Sequence, residues 1–301
     1  MTAKTKLAET LGAGRQALTA ECLPPHGTDP GAVKKLAAAF PASLDAVVVA
    51  DNPEGLAGSA LACAAIMASE NREPVLSIVT RDRNRVAIES EILGAATLGV
   101  RGFLCLTGNH QSKGNSPQAA GAYDIDSVQL TQALKAMGDT GACLDGRKLD
   151  AALHCQIGAA AHPYLRPMDL NIIRLRKKIL AGTTFLLTQA VFDLAGFTEW
   201  MDAVRAAGLD TKAAIIASVL PLASVEKAKE LQAKGTYGPV PESVVARLAK
   251  APDAAKEGIP IAAEMAKKLK TVTGVRGIHI LSGGCESAVA QVIREAGLAK
   301  A

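Results

Sequence analysis

The residues of this chain best suited to chemistry stand where apolar runs end. "ECLPPHG" (21–27) places Glu21 at the end of one such run, and "LTGNHQ" (106–111) closes another with Thr107, Gly108 and Asn109. "AAAHP" (159–163) brings His162, and "LLTQ" (186–189) brings Thr188 and Gln189. Asp51 and Asn52, "TRDRNR" (80–85), "LPLAS" (220–224) and "SGGC" (282–285) follow the remaining runs. Glu21 is the one carboxylate set inside an otherwise apolar run. No His, Asp and Glu cluster has metal-ligand spacing, and no Ser–His–acid set is evident. One acid among amides, hydroxyls and glycines suits a bound organic cofactor better than hydrolysis. Gly108 is expected to let the backbone pass close to a flat or phosphorylated ligand.

Such residues need a frame that gathers strand ends. Eight short β-type runs recur, at 17–22, 45–50, 74–80, 102–107, 153–158, 184–189, 213–219 and 277–282. Most are apolar on both faces, as parallel strands buried by helices must be. Helical patterns lie between them, at 30–40, 84–99, 124–138, 169–183, 224–235, 241–251 and 262–272. Pro30 opens the first, an Asp caps the third, and Gly99, Gly138 and Gly182 end three of them. Alternation of this kind predicts a single-domain (β/α)8 TIM barrel over residues 1–301, with its chemistry at the C-terminal ends of the strands. A doubly wound open sheet is the competing architecture, weakened by the lack of a Gly-rich dinucleotide fingerprint after the first run. "SPQAAGAYDID" (116–126) reads as a long loop at the active face.

The 301 residues, 49% of them hydrophobic, suffice for such a barrel, which typically takes about 250. A formal net charge of +4 and the lack of a long basic cluster argue against nucleic acid as a partner; "RLRKK" (174–178) is the densest stretch. No apolar run approaches the ~18–20 residues of a membrane span. The first ten residues lack a secretory apolar core, so a cytoplasmic location is expected. Six separated cysteines without a CxxC read as reduced thiols, and Cys22, Cys105 and Cys285 as small buried packing residues.

With these stretches in order, the chain resembles the methylenetetrahydrofolate reductase family, a flavin-bearing (β/α)8 barrel. "ECLPP" looks like that family's Glu-x-x-Pro-Pro, "LTGNHQ" its Leu-x-Gly-Asp turn, and "AAAHP" its His-Pro. "RKKILAGTTFLLTQAVFD" (176–193) is similar to its Lys-x-x-Ala-Gly…Thr-Gln-x-x-Phe-Asp segment, and "VPESVVARL" (240–248) to its late helix start. The resemblance implies reduction of methylenetetrahydrofolate to methyltetrahydrofolate, with FAD, or FMN, passing a hydride from a donor. It implies Glu21 as general acid, with a pKa raised by desolvation. Gln189 would hydrogen-bond the pterin and Phe192 would pack near the folate. Lys178 and His162 would hold the flavin phosphates and ribitol, Thr107, Gly108 and Asn109 would line the ring edge, and Tyr123 and Asp124 would touch the flavin from their loop.

Departures from the family pattern are equally specific. Asn109 stands where the family has Asp. "VADNPEG" (49–55) replaces a glycine-rich turn, Ser77 a His, and "GGC" (283–285) an Arg that can help to hold folate. These changes leave NAD(P)H or a protein electron donor open, together with a homo-oligomer or a partner subunit. Two rivals stay open: a pterin-binding methyltransferase barrel acting with a corrinoid protein, and a non-catalytic folate-binding subunit of an electron-transfer complex.

Overall fold

Strands that are apolar on both faces require cover on both, and a closed barrel ringed by helices supplies it. In the computed structural model, which describes residues 5–235 and 238–299, eight parallel strands pair in chain order and the last closes on the first. The chain begins with α1 (Lys6–Gly12), β1 (Ala17–Cys22), α2 (Pro30–Ala39), β2 (Ala46–Val49), α3 (Ala60–Ser69), β3 (Pro74–Val79), α4 (Arg85–Thr97) and β4 (Gly102–Leu106). It continues with α5 (Ser127–Asp139), β5 (Gln156–Ala161), α6 (Met168–Ala181), β6 (Phe185–Ala190), α7 (Leu194–Ala206) and β7 (Ala214–Val219). The last turn of the barrel holds α8 (Val225–Lys234), α9 (Glu242–Lys250), α10 (Ala254–Lys270), β8 (Val275–Ile280) and α11 (Glu286–Glu295). Among the described residues, no helix is long and apolar enough to cross a membrane.

The expected architecture is the observed one, but several boundaries differ, three of them instructively. β5 lies at 156–161 rather than 153–158, so His162 follows the strand directly. The run "GAAA" (158–161) has weak β propensity and hid the strand; pairing of Gly102 with Gln156 and of Cys105 with Ala159 fixes its register. β8 starts two residues earlier than expected, at Val275. α10 begins at Ala254 and runs through Pro260, which reads as a breaker in the sequence. The helices α1, α3, α7 and α11 go beyond the expected segments. α3, "ALACAAIMAS", is apolar all round and carries no amphipathic period.

Two layers of core result. Outside the barrel, Phe40, Met67, Ile88, Ile92, Phe103 and Trp200 pack between strands and helices. Inside it, Val48, Val75, Leu104, Phe185, Leu187 and Ile216 fill the lower half, and Leu7 of α1 joins them. Gly158 makes this filling possible: a Cβ there would lie 2.2 Å from the Phe185 ring. The upper interior is polar. Thr19, Ser77, Ser218 and His279 are all buried there. The barrel is thus plugged by hydrocarbon at its N-terminal end and opens through a polar layer at the other.

Candidate active site

At that open end lies a cavity of about 350 Å³, lined by residues of every strand except β7, by turns that follow them, and by Ser127 and Lys178 of α5 and α6. This is the size of a small-molecule site. Glu21, Thr107, Gly108, Asn109, His162, Lys178 and Gln189 all line it, as do Ser77, Arg81 and His279.

Glu21 is next to last in β1, half-buried between apolar neighbours. Desolvation raises its pKa to about 7, against the pull of hydrogen bonds with the backbone of Ser282 and Gly283. The "SGGC" turn (282–285) therefore wraps the acid with backbone donors. Both of its glycines take positive φ, 56° at Gly283 and 85° at Gly284.

Across the mouth stands a polar wall with one half-buried ammonium. Lys178, on the inner side of α6, gives a hydrogen bond of 2.6 Å to the carbonyl oxygen of Ala160. It has no carboxylate partner among the described residues, and burial pushes its pKa down to about 8. His162 keeps solvent contact at the rim. Protein packed beside its ring, then the charges of Lys178 and Arg174, lower its pKa, while a hydrogen bond with the Gln189 side chain opposes them. Gln189 is therefore held by His162 at the edge of the cavity. Beneath it, the Ser218 hydroxyl gives 2.6 Å to Thr188 O, and Ser218 N gives 3.0 Å to Thr188 Oγ1.

The third wall is a set of turns braced by Arg81, whose side chain is only 5% exposed. Its Nε and Nη2 each give 2.7 Å to the Asp82 carboxylate. Nη2 also gives 2.9 Å to Asn52 O, and Nη1 gives 3.1 Å to Asn109 O. One guanidinium thus ties the ends of β2, β3 and β4. Thr107 is fixed from the other side, its Oγ1 accepting 3.1 Å from Ser127 N at the start of α5. Gly108 has φ 88°, and a Cβ there would meet Val79 Cγ1 at 2.6 Å and Arg81 Cβ at 3.1 Å. The turn and the Arg81 brace therefore require glycine at this position, which lines the cavity.

Other expected residues stand outside the lining. Asp124 accepts 2.9 Å from Arg85 N and 2.8 Å from Arg85 Nη2, at the surface. Tyr123, at φ 43°, directs its hydroxyl to Gln111 Oε1 at 3.4 Å. Phe192 is buried with Leu220 and Leu222 in a satellite core, behind the cavity rather than in it. Cys22 and Cys105 are buried as expected, but Cys285 is exposed at the start of α11. Among the described residues, no three His, Cys, Asp or Glu side chains are grouped to hold a metal. Arg81, within the "TRDRNR" that follows β3, and His279, within the apolar run of β8, are site-lining residues that were not singled out from the sequence. His279, a lone polar residue between Ile278 and Ile280, was the available signal, since successive strand residues face opposite sides.

The sequence profile of the methylenetetrahydrofolate reductase family matches residues 6–297. The chain belongs to that family. Methylenetetrahydrofolate reductase 1 of Schizosaccharomyces pombe is 28% identical over 150 residues, covering 47% of this chain and 24% of that protein. 5,10-Methylenetetrahydrofolate reductase of Escherichia coli is 25% identical over 118 residues, covering 39% of this chain and 36% of that one. The alignments thus span well under half the length of these curated relatives. Among solved structures, an uncharacterised protein from Clostridium thermocellum that binds two copies of 5-methyl-5,6,7,8-tetrahydrofolic acid superposes with a TM-score of 0.66 at 12% identity, covering 97% of this chain and 99% of that one. That likeness is one of fold.

The family is generally flavin-dependent, and the donor set of the cavity fits that group. Lys178 is a half-buried ammonium bonded to a neutral carbonyl, a cation left for an anionic phosphate. The turn around Gly108 presents backbone rather than bulky side chains to the opposite edge.

Proposed function

We propose that this chain is a flavin-dependent methylenetetrahydrofolate reductase, cytoplasmic, with Glu21 as general acid. The observation that supports this most is a carboxyl whose pKa, about 7, keeps a large protonated fraction near neutral pH at the mouth of the barrel. A general acid works best with a pKa near the working pH. Family membership over residues 6–297 supports the substrate class.

Bound flavin, FAD in our reading with FMN as the alternative, would supply hydride transfer between the donor and the folate. The chain's own groups do the rest. Glu21 gives its proton to a ring nitrogen of methylenetetrahydrofolate, so that the five-membered ring opens to an iminium. The backbone N–H groups of Ser282 and Gly283 then hold the carboxylate that remains. Gln189, steadied by His162, orients the pterin. Lys178 would pair with phosphate, with His162 beside it toward the ribitol. Thr107, Gly108 and Asn109 would border the flavin ring, while Tyr123 and Asp124 would stiffen the loop behind them. Phe192 acts from the core behind Gln189. NAD(P)H or a protein partner supplies the electrons.

Extraction of the bound chromophore with mass identification, followed by stopped-flow reduction with NADH and with NADPH, tests this reading. A yellow protein reduced by either nucleotide or by a redox dye supports it. The Clostridium thermocellum neighbour, which binds two folates, favours a second reading: a folate-binding barrel, methyltransferase or non-catalytic, that works without flavin. A colourless protein that no flavin reconstitutes, yet binds methyltetrahydrofolate, selects that second reading.

A further inference from the structure

His279 lies in the middle of β8, 2% exposed, in the polar layer directly beneath the mouth. Its Nδ1 is 2.9 Å from the hydroxyl of Thr19, which stands opposite it in the β1–β8 register. On its other flank is Ser218, whose hydroxyl is already committed to Thr188 O. Desolvation lowers the His279 pKa to about 3, so the ring stays neutral. Nε2 has no hydrogen-bond partner among the described residues, and the ring lines the cavity. A ring nitrogen turned to a cavity without a protein partner is costly when that cavity is filled by an apolar surface. It is satisfied when the occupant brings a matching polar edge.

Height along the wall narrows the choice. Glu21 is two residues beyond Thr19 on the same face of β1, about 7 Å higher at the usual rise per residue. A fused heterocycle that reaches down from the level of Glu21 presents its far edge to His279. Ser77 of β3 lines the same cavity with a small side chain, which leaves room for a flat ring. A neutral imidazole with one nitrogen committed offers either a donor or an acceptor at the other, according to tautomer. A lactam edge, a ring carbonyl beside a ring N–H, satisfies both cases.

We infer that His279 is a specificity-determining residue whose Nε2, oriented by Thr19, hydrogen-bonds the lactam edge of the heterocycle that enters the barrel. This rests on the proposed function. Pterin and isoalloxazine share that edge, and separate titrations distinguish them.

Isothermal titration of the full chain with FAD and, separately, with 5-methyltetrahydrofolate provides the test. Asn at position 279 reproduces the Nδ1 position toward Thr19 and removes the group facing the cavity; Gln reproduces Nε2. The His279→Asn variant is expected to bind one of the two ligands about tenfold more weakly, and His279→Gln to recover most of that loss. Loss confined to FAD identifies isoalloxazine as the partner, and loss confined to the folate identifies pterin. Thr19→Val, which leaves the ring in place, is expected to weaken the same ligand about threefold and gives a second test should His279→Asn fail to fold. Binding of both ligands by His279→Asn at wild-type strength overturns the inference, as does equal weakening by Asn and Gln. A wild-type protein that binds neither ligand overturns the proposed function itself.

Discussion

The backbone of Ser282, just beyond β8, hydrogen-bonds the carboxyl of Glu21 near the end of β1, across the seam where the barrel closes. These bonds favour the carboxylate, yet desolvation outweighs them and the pKa rises from 4.5 to about 7. The acid is thus held where its proton is available and its anion is still received by donors.

That balance has a stability cost with a definite pH window. A carboxyl whose pKa is raised in the folded state is fully protonated in both states below about 4.5, and the folded state loses stability as pH climbs from there through about 7. Glu21→Gln, neutral throughout, should match the wild type at pH 4.5 and exceed it at pH 8 by up to about 3 kcal/mol. Paired thermal or denaturant melts at the two pH values check this; a variant less stable at pH 8 contradicts it.

Lys178 should hold the cofactor as a point charge. Its pKa of about 8 means that the charge fades as pH rises through that value. FAD affinity of the wild type should fall between pH 7 and 9, while Lys178→Met binds at least about tenfold more weakly at pH 7 and shows no such fall. Fluorescence titrations across pH give both results. Equal pH dependence in the two proteins would remove Lys178 from the phosphate site.

Asn109 lines the cavity at the turn for which the resemblance to the family implies Asp, and its carbonyl is bound to Arg81. Asn109→Asp adds a negative charge beside the flavin and should lower the two-electron midpoint by roughly 20–60 mV, after allowance for solvent at this exposed position. Redox titration against a reference dye measures it. An unchanged or higher midpoint would mean that the family's carboxylate does not act on the flavin here.

Arg81 should matter through the turns it ties rather than through contact with reactants. Arg81→Met leaves Asp82 only the 3.5 Å bond from Asn52 Nδ2 and frees the Asn52 and Asn109 carbonyls. A loss of about 2–4 kcal/mol in stability is expected, with weaker flavin retention. Denaturant melts and flavin content after gel filtration report the two effects.

Much of this was legible before the fold. Doubly apolar strand runs separated by helical patterns implied a barrel, and the rim residues Glu21, Asn109, His162, Lys178 and Gln189 do line one cavity. Three kinds of information were hidden. The alanine-rich β5 and the uniformly apolar α3 carry little periodicity, so tertiary pairing decided them. Arg81 resembles any charged turn residue until its carbonyl partners are brought together from other strands. His279 looked like part of a core strand because the polar layer it joins with Thr19 and Ser218 forms only when β8 closes between β1 and β7. Phe192, by contrast, fits a motif yet packs into the core behind it.

The central claim is that Glu21 delivers the proton that opens the folate ring. Turnover of methylenetetrahydrofolate by flavin-loaded protein, with a reduced dye as electron source, measures it for wild type and Glu21→Gln from pH 6 to 9. Wild-type turnover should fall as pH passes about 7, and Glu21→Gln should be slower by about 10²–10⁴-fold while keeping its flavin. A flavin-loaded Glu21→Gln that turns over at the wild-type rate, with the same pH profile, would contradict the claim.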